Sequence, residues 1–255
     1  MDHYMDNFLV KYRPKVWEDV VGQEDAVGIL KNIVLTRSIP AGILLSGVWG
    51  IGKTSLVQLL GRSLLCEQRP PETFNPCNQC DSCEQFPHNG QYRERDCSKL
   101  TLEQLHSDLV SYLLFRIIYY DELQRLKIPV QDTFLKPLEG DPHHMNILFI
   151  FSTAEPEKVD RALLERVIHL ELVPPTHEQI TLWLEKICAL ASIPIEDKSA
   201  LGLIAEWSKC IPRRCLNFLL KHCILGKKSV SNHIVQKAMG IDAMAKETIT
   251  FRTKF

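Results

Sequence analysis

No apolar stretch of this 255-residue chain approaches the roughly 20 residues of a membrane span, and Met1-Asp2-His3-Tyr4-Met5-Asp6 has neither the basic nor the apolar region of a signal peptide. Net charge is nearly absent as well. The 30 Lys and Arg against 31 Asp and Glu leave −1, so no global basic field points to nucleic acid, and any DNA contact must be local or belong to an assembly. Internal repeats are missing. These absences argue against a membrane-spanning protein and set the expectation of a cytoplasmic one with no membrane partner. The nine cysteines are an odd number and in such a chain are expected to be reduced thiols. Clustered ones then suggest a metal, and scattered ones suggest packing.

What is present begins with Gly47-Val48-Trp49-Gly50-Ile51-Gly52-Lys53-Thr54, which follows the apolar run Ile43-Leu44-Leu45-Ser46 and precedes the helix-like Ser55-Leu56-Val57-Gln58-Leu59-Leu60. The spacing is G-x-x-x-x-G-K-[ST] between a strand and a helix, the pattern of a phosphate loop. Backbone N–H groups around Gly47, Gly50, Ile51 and Gly52, and on to Ser55, close on phosphates. Lys53 reaches the β- and γ-phosphates, Thr54 ligates Mg²⁺, and the helix adds its positive dipole end. Binding of a nucleoside triphosphate is the expectation.

Along the rest of the chain, Asp25 to Leu35 has helical apolar spacing, as does Leu100 to Leu114. Arg116-Ile117-Ile118-Tyr119-Tyr120 and Asn146 to Thr153 are short continuous apolar runs, the mark of strands buried on both faces, and Val167 to Leu172 is a weaker third. Pro174-Pro175 breaks both helix and strand, and beyond it the pattern is all helical, with Thr176 as an N-cap. The spacing predicts helices from His177, over Lys198 to Cys210, over Arg213 to Leu225 and over Ser231 to Met239. This gives an α/β domain over residues 1–173, a helical domain over 174–240 and a tail over 241–255.

A phosphate loop needs an acidic strand end to hold Mg²⁺ and activate water. Tyr120-Asp121-Glu122 supplies Asp121 for the ion, through water, and Glu122 to polarise the attacking water. Thr153, at the end of the next strand, is placed to sense the γ-phosphate. Between Cys66 and Gly90 the composition shifts to prolines and cysteines without regular structure. There Cys77-x-x-Cys80-x-x-Cys83, together with Cys66, makes a closed tetrahedral Zn²⁺ site that staples a segment too small for its own core. His88 and Cys97 are rival ligands. The cysteines at 97, 188, 210, 215 and 223 otherwise read as packing residues.

Taken in order, Tyr12-Arg13-Pro14, Val20-Val21-Gly22-Gln23, the phosphate loop, the four cysteines, Asp121-Glu122 and Thr153 resemble the gamma/tau family of bacterial DNA polymerase III clamp-loader subunits, over about Phe8 to Gly240. The resemblance implies an AAA+ ATPase domain with a parallel sheet and an inserted zinc module, followed by a small helical lid. It implies that Tyr12, Arg13, Pro14, Val20 and Val21 flank the adenine, that Thr153 is a sensor, and that Arg213, or its neighbour Arg214, touches the phosphates from the lid. Arg166 would act in trans as an arginine finger, in a neighbouring subunit's site. The implied cofactors are ATP, Mg²⁺ and Zn²⁺. The implied partners are other clamp-loader-type subunits or copies of the chain, a sliding clamp, and primer-template DNA reached through the assembly.

Four departures from that family stand out, a compressed segment from Asp96 to Arg116 among them. Glu165-Arg166-Val167 replaces a Ser-Arg-Cys trio, Cys210-Ile211-Pro212-Arg213 replaces a Gly-Ser step, and the chain ends where a collar domain would begin. Two alternatives therefore stand beside an ATP-hydrolysing clamp-loader subunit: a divergent AAA+ switch of a mobile element, phage or defence system, and a non-hydrolysing scaffold subunit.

Overall fold

The computed structural model describes residues 8–110, 116–139, 147–226 and 229–240. The chain divides into two units, Pro14–Val173 and a second in which residues 8–13 group with the helical segment from Pro174 onward.

The first unit is built on five parallel strands: β1 Gly42–Ser46, β2 Tyr92–Asp96, β3 Ile117–Asp121, β4 Leu148–Thr153 and β5 Ile168–Glu171. Their spatial order is β2-β3-β4-β1-β5. Side chains alternate across a strand, so each continuous apolar run feeds two cores. Ile43, Leu45, Tyr119 and Ile150 pack on one face with helices α1 Glu24–Thr36 and α2 Lys53–Leu65, through Leu30, Ile33, Leu56 and Leu60. Leu44, Ile118, Tyr120, Phe149 and Phe151 pack on the other with Leu105 and Phe134. Leu105 belongs to α3, Leu102–Val110; the remainder of the helix expected to reach Leu114 lies outside the described residues. Trp17 is buried, and its indole N–H donates to Ser63 Oγ (3.2 Å) and the Phe74 carbonyl (3.0 Å). That pins the entering chain to α2.

Strand β2 has no counterpart in the sequence reading. Tyr-Arg-Glu-Arg-Asp is too polar to announce a strand, yet at a sheet edge only Tyr92 must be buried. Its arginines are instead spent on Asp108 of α3, which is fully buried: Arg93 approaches it at 2.6 Å and Arg95 at 2.7 and 2.8 Å. The stretch from Cys66 to Gly90 also has more order than expected, with a helical turn at Asp81–Glu84.

The second unit contains α4 His177–Leu190, α5 Ser199–Trp207, α6 Pro212–Phe218 continuing into a π-helical turn at Leu219–Ile224, and α7 Asn232–Ala238. Thr176 caps α4 in a reciprocal box with Gln179. Helix α5 ends on Lys209 and Cys210, both left-handed (φ 52° and 53°), with Cys210 N–H donating to the Ala205 carbonyl at 2.9 Å. Positive φ at this stop normally calls for glycine. Lys209 and Cys210 therefore hold this turn at the cost of backbone strain.

Candidate functional site

Strands β3, β4 and β1 are neighbours, and their C-terminal ends bring together Asp121, Thr153 and the loop that leaves Ser46. Ligands of open α/β sheets bind in the crevice outside those ends. In the loop, Gly47, Gly50 and Gly52 take φ of 139°, 85° and 120°, positive values that L side chains rarely adopt. A Cβ on Gly47 would lie 2.6 Å from the Leu172 carbonyl oxygen, whereas one on Gly52 would meet nothing within 4 Å. The open space beside Gly52, at the start of α2, leaves room for a phosphate.

Lys53 is 7% exposed, and its ammonium donates to the loop's own carbonyls, Gly47 O at 2.6 Å and Val48 O at 3.3 Å. The cation is thus aimed into the loop before any anion arrives. Thr54 Oγ1 stands 3.5 Å from Asp121 Oδ2, too long for a strong hydrogen bond, so the two oxygens face one another without being spent on each other. Together these features fit a triphosphate with a hard divalent cation: Lys53 and the loop amides would hold the phosphates, and Thr54 and Asp121 the ion.

Besides its neighbour Glu122, Asp121 is oriented by residues that the sequence reading did not single out. Ser152 Oγ donates to Asp121 Oδ1, the Glu122 backbone N–H donates to the same oxygen at 3.0 Å, and the Tyr119 hydroxyl donates to Ser152 Oγ at 3.0 Å. Burial, and after it the charge of Asp121, pushes the Tyr119 phenol well above its ordinary value, so it remains a donor. Tyr119 lies two residues before Asp121, on the same face of β3, and that period-2 spacing is the signal that would have found it.

Glu122 sits in the left-handed region (φ 60°). Its Oε1 accepts from the Trp49 indole N–H at 2.9 Å and its Oε2 from Gln124 Nε2 at 2.5 Å. The Thr153 hydroxyl donates to Gln124 Oε1 at 2.7 Å and accepts the Glu155 N–H at 3.0 Å. Thr153 is fully buried, and its carbonyl accepts the Gly47 N–H at 3.1 Å.

The other expected residues fall as follows. Ile51 is buried in the first-face core, Ser55 lies in the first turn of α2, and Val20 packs against that same core. Val21 and Pro14 are half-buried in the sheet unit, while Tyr12 and Arg13 group with the helical unit. Arg166 donates to Glu139 Oε1 through Nε (3.0 Å) and Nη2 (2.5 Å) and to the Ala162 carbonyl through Nη1 (2.7 Å). Glu165 pairs instead with Arg161 at 3.2 Å. Arg213 and Arg214 are both exposed in the first turn of α6.

A second site lies at the other end of α2. The sulfurs of Cys66, Cys77, Cys80 and Cys83 all fall within 4.8 Å of one another, with Cys66–Cys80 at 4.0 Å and Cys77–Cys83 at 3.9 Å. Four sulfurs about 2.3 Å from a tetrahedral zinc would be about 3.8 Å apart. The set therefore fits that ion, and His88 and Cys97 are not part of it; Cys97 is buried in the second-face core. Backbone N–H groups of Cys77 and Cys80 donate to the sulfurs of Cys66 and Cys77, both at 3.3 Å. Burial raises the Cys66 and Cys83 thiols. At Cys80 burial is outweighed by backbone donors and the neighbouring thiols, which lower it to about 6. Arg62, hydrogen-bonded to Asn78 (3.3 Å) and lying over the Phe86 ring (5.3 Å), places a cation beside the cluster, where it would offset the excess of four thiolate charges over a divalent ion.

Residues 22–176 match the model of the family described as DNA polymerase III, delta subunit. The chain is 30% identical over 240 residues to DNA polymerase III subunit gamma of Buchnera aphidicola subsp. Baizongia pistaciae, covering 91% of this chain and 64% of that protein. It is also 30% identical over 240 residues to DNA polymerase III subunit tau of Escherichia coli K12, covering 90% of this chain and 36% of that one. The chain thus spans between about a third and two thirds of the length of these relatives. In fold it is similar to the Thermotoga maritima RuvB Holliday junction branch migration motor, with a TM-score of 0.68 at 18% identity over 90% of this chain and 72% of that one. No helix among the described residues is long and apolar enough to cross a membrane.

Proposed function

The chain belongs to the family described as DNA polymerase III, delta subunit, and from that premise we propose that it is an ATP-binding and ATP-hydrolysing AAA+ subunit of the clamp-loader type. One observation carries the reading: Lys53, Thr54, Asp121, Glu122 and Thr153 converge at the ends of three adjacent parallel strands. A scaffold has no use for that set.

In this reading Lys53 leaves the Gly47 and Val48 carbonyls to hold the β- and γ-phosphates, as the loop N–H groups close around them. Thr54 and Asp121 hold a Mg²⁺ ion, which when bound neutralises charge developing on the phosphates. Ser152 and Tyr119 keep Asp121 turned toward Thr54. Glu122 orients the attacking water, Thr153 donates to the γ-phosphate, and Arg166 exchanges Glu139 for the phosphates of an adjoining subunit. Tyr12, Arg13, Pro14, Val20 and Val21 flank the adenine, and Arg213 reaches the phosphates from residues 174–240, acting as a lid. Zn²⁺ on the four cysteines is structural, since a Cys₄ set leaves no position for water. The work done is closure of neighbouring subunits around a sliding clamp and primer-template DNA, with hydrolysis as release.

Glu165-Arg166-Val167 favours a second reading, a divergent AAA+ switch with a different partner. Two measurements decide. Turnover of Mg²⁺-ATP, with DNA and partners present, should exceed that of Glu122→Gln by at least about 100-fold; turnover equal to that variant would leave only the scaffold. Capture of a sliding clamp or clamp-loader subunits in the presence of a slowly hydrolysed ATP analogue supports clamp loading. Nucleotide-dependent self-assembly without either supports the divergent switch.

A further inference from the structure

Trp49, Glu122, Gln124 and Thr153 form one continuous chain of hydrogen bonds from the phosphate loop to the end of β4. Its polarity is set by chemistry. A carboxylate only accepts, so the Gln124 amide must turn its NH₂ to Glu122 and its oxygen to Thr153. The Thr153 oxygen already accepts from the Glu155 N–H, and its single hydrogen goes to Gln124. Both carboxylate oxygens of Glu122 are thereby engaged, one by Trp49 and one by Gln124.

A threonine hydroxyl has one hydrogen. A γ-phosphate oxygen, which only accepts, competes with Gln124 for it. We propose that Gln124 is a positioning residue that holds Glu122 as long as Thr153 donates to it, and lets Glu122 go when a nucleoside triphosphate claims that hydrogen. Once its oxygen has lost the Thr153 donor, the half-buried Gln124 amide has reason to turn, and the Nε2–Glu122 bond is broken with it. A diphosphate makes no such claim. Gln124 thus makes the site respond to the third phosphate, and its cost falls on the triphosphate alone. The inference rests on the reading of Thr153 and Glu122 given above.

The test is calorimetric binding of ADP and of a slowly hydrolysed ATP analogue, each with Mg²⁺, to the full chain. Gln124→Leu removes both ends of the amide and should bind the analogue on the order of ten-fold tighter than the unaltered chain, with ADP affinity unchanged. Adding Gln124→Leu to Thr153→Val should gain nothing over Thr153→Val, because the contested hydrogen is gone. A merely structural glutamine would move both nucleotides together. An analogue-to-ADP ratio that Gln124→Leu leaves unchanged overturns the inference, as does a gain that persists on the Thr153→Val background. If Gln124→Leu lowers the melting temperature, Gln124→Met gives the same comparison with an unbranched chain. Binding of neither nucleotide by the unaltered chain overturns both this inference and the proposed function. Binding abolished by Lys53→Ala, with an unmoved ratio in Gln124→Leu, overturns this inference alone.

Discussion

At its N-terminus α2 presents backbone N–H groups, Lys53 and Thr54 to a loop whose Gly47 and Val48 carbonyls Lys53 already engages; at its C-terminus it delivers Cys66 to three other sulfurs. The first site is kept by glycine conformation and by polar groups that already have partners: Lys53 has the loop carbonyls, Asp121 has Ser152, and Glu122 has Trp49 and Gln124. Its structure should therefore stand without ligand. The second sits in an insertion, between Cys66 and Gly90, that is rich in proline and polar residues, adds Phe74 and Phe86 to a core built elsewhere and is tied to its surroundings by peripheral hydrogen bonds such as Trp17 N–H to Asn75 and Arg69 to the Val34 carbonyl, while its own centre is the four sulfurs. Its structure should depend on the ion. A site that must exchange its ligand is preorganised by the protein, and a site that never exchanges it is organised by the ligand.

The largest expected effect follows from that contrast. Stripping the metal with a chelator, or Cys80→Ser, should unfold the insertion, because structural zinc contributes on the order of 10 kcal/mol to such modules. Hydrogen exchange should show protection lost over residues 66–90 and kept in β1, β3 and β4. Metal-free protein with unchanged protection there would break the contrast. Zinc content should be about one per chain, as a single Cys₄ set dictates.

Next in size is Gly47→Ala. The new Cβ would strike the Leu172 carbonyl at 2.6 Å from a φ of 139°, and the cost should be about 2–3 kcal/mol of stability, read as a lower midpoint in urea with an unchanged slope. Zinc affinity should not move. A coupled loss of zinc would mean that the two ends of α2 are not independent.

The smallest is Tyr119→Phe, which removes the donor to Ser152 and should cost about 1 kcal/mol of stability. It should also raise the Mg²⁺ concentration needed for half-maximal nucleotide binding by several-fold, since Asp121 loses an orienting neighbour. An unchanged Mg²⁺ dependence would make Tyr119 a core residue only.

How legible all this was in the sequence differed between the two ends. The phosphate loop and the cysteine steps are local: their residues lie within a few positions of each other, so spacing alone reports the geometry. The two-faced strands Ile43 to Ser46, Ile117 to Tyr120 and Leu148 to Thr153 are legible for the same reason, as continuous apolar runs. What could not be read is assembled across strands. Ser152 reaches Asp121, Trp49 reaches Glu122 and Arg166 reaches Glu139 from 31, 73 and 27 positions away. Strand β2 was hidden because its arginines look solvent-facing until Asp108, buried in α3, is seen to take both. Propensity has no access to a partner 13 or 15 residues distant.

A nucleotide site at the N-terminus of α2 and a zinc site at its C-terminus should be separable. Titration of Mg²⁺-ATP into the zinc-loaded chain and into Lys53→Ala, with zinc content measured on both, tests this directly. The unaltered chain should bind, the variant should lose about 100-fold or more in affinity, and zinc content should be the same in each. Undiminished ATP affinity in Lys53→Ala would contradict the nucleotide site.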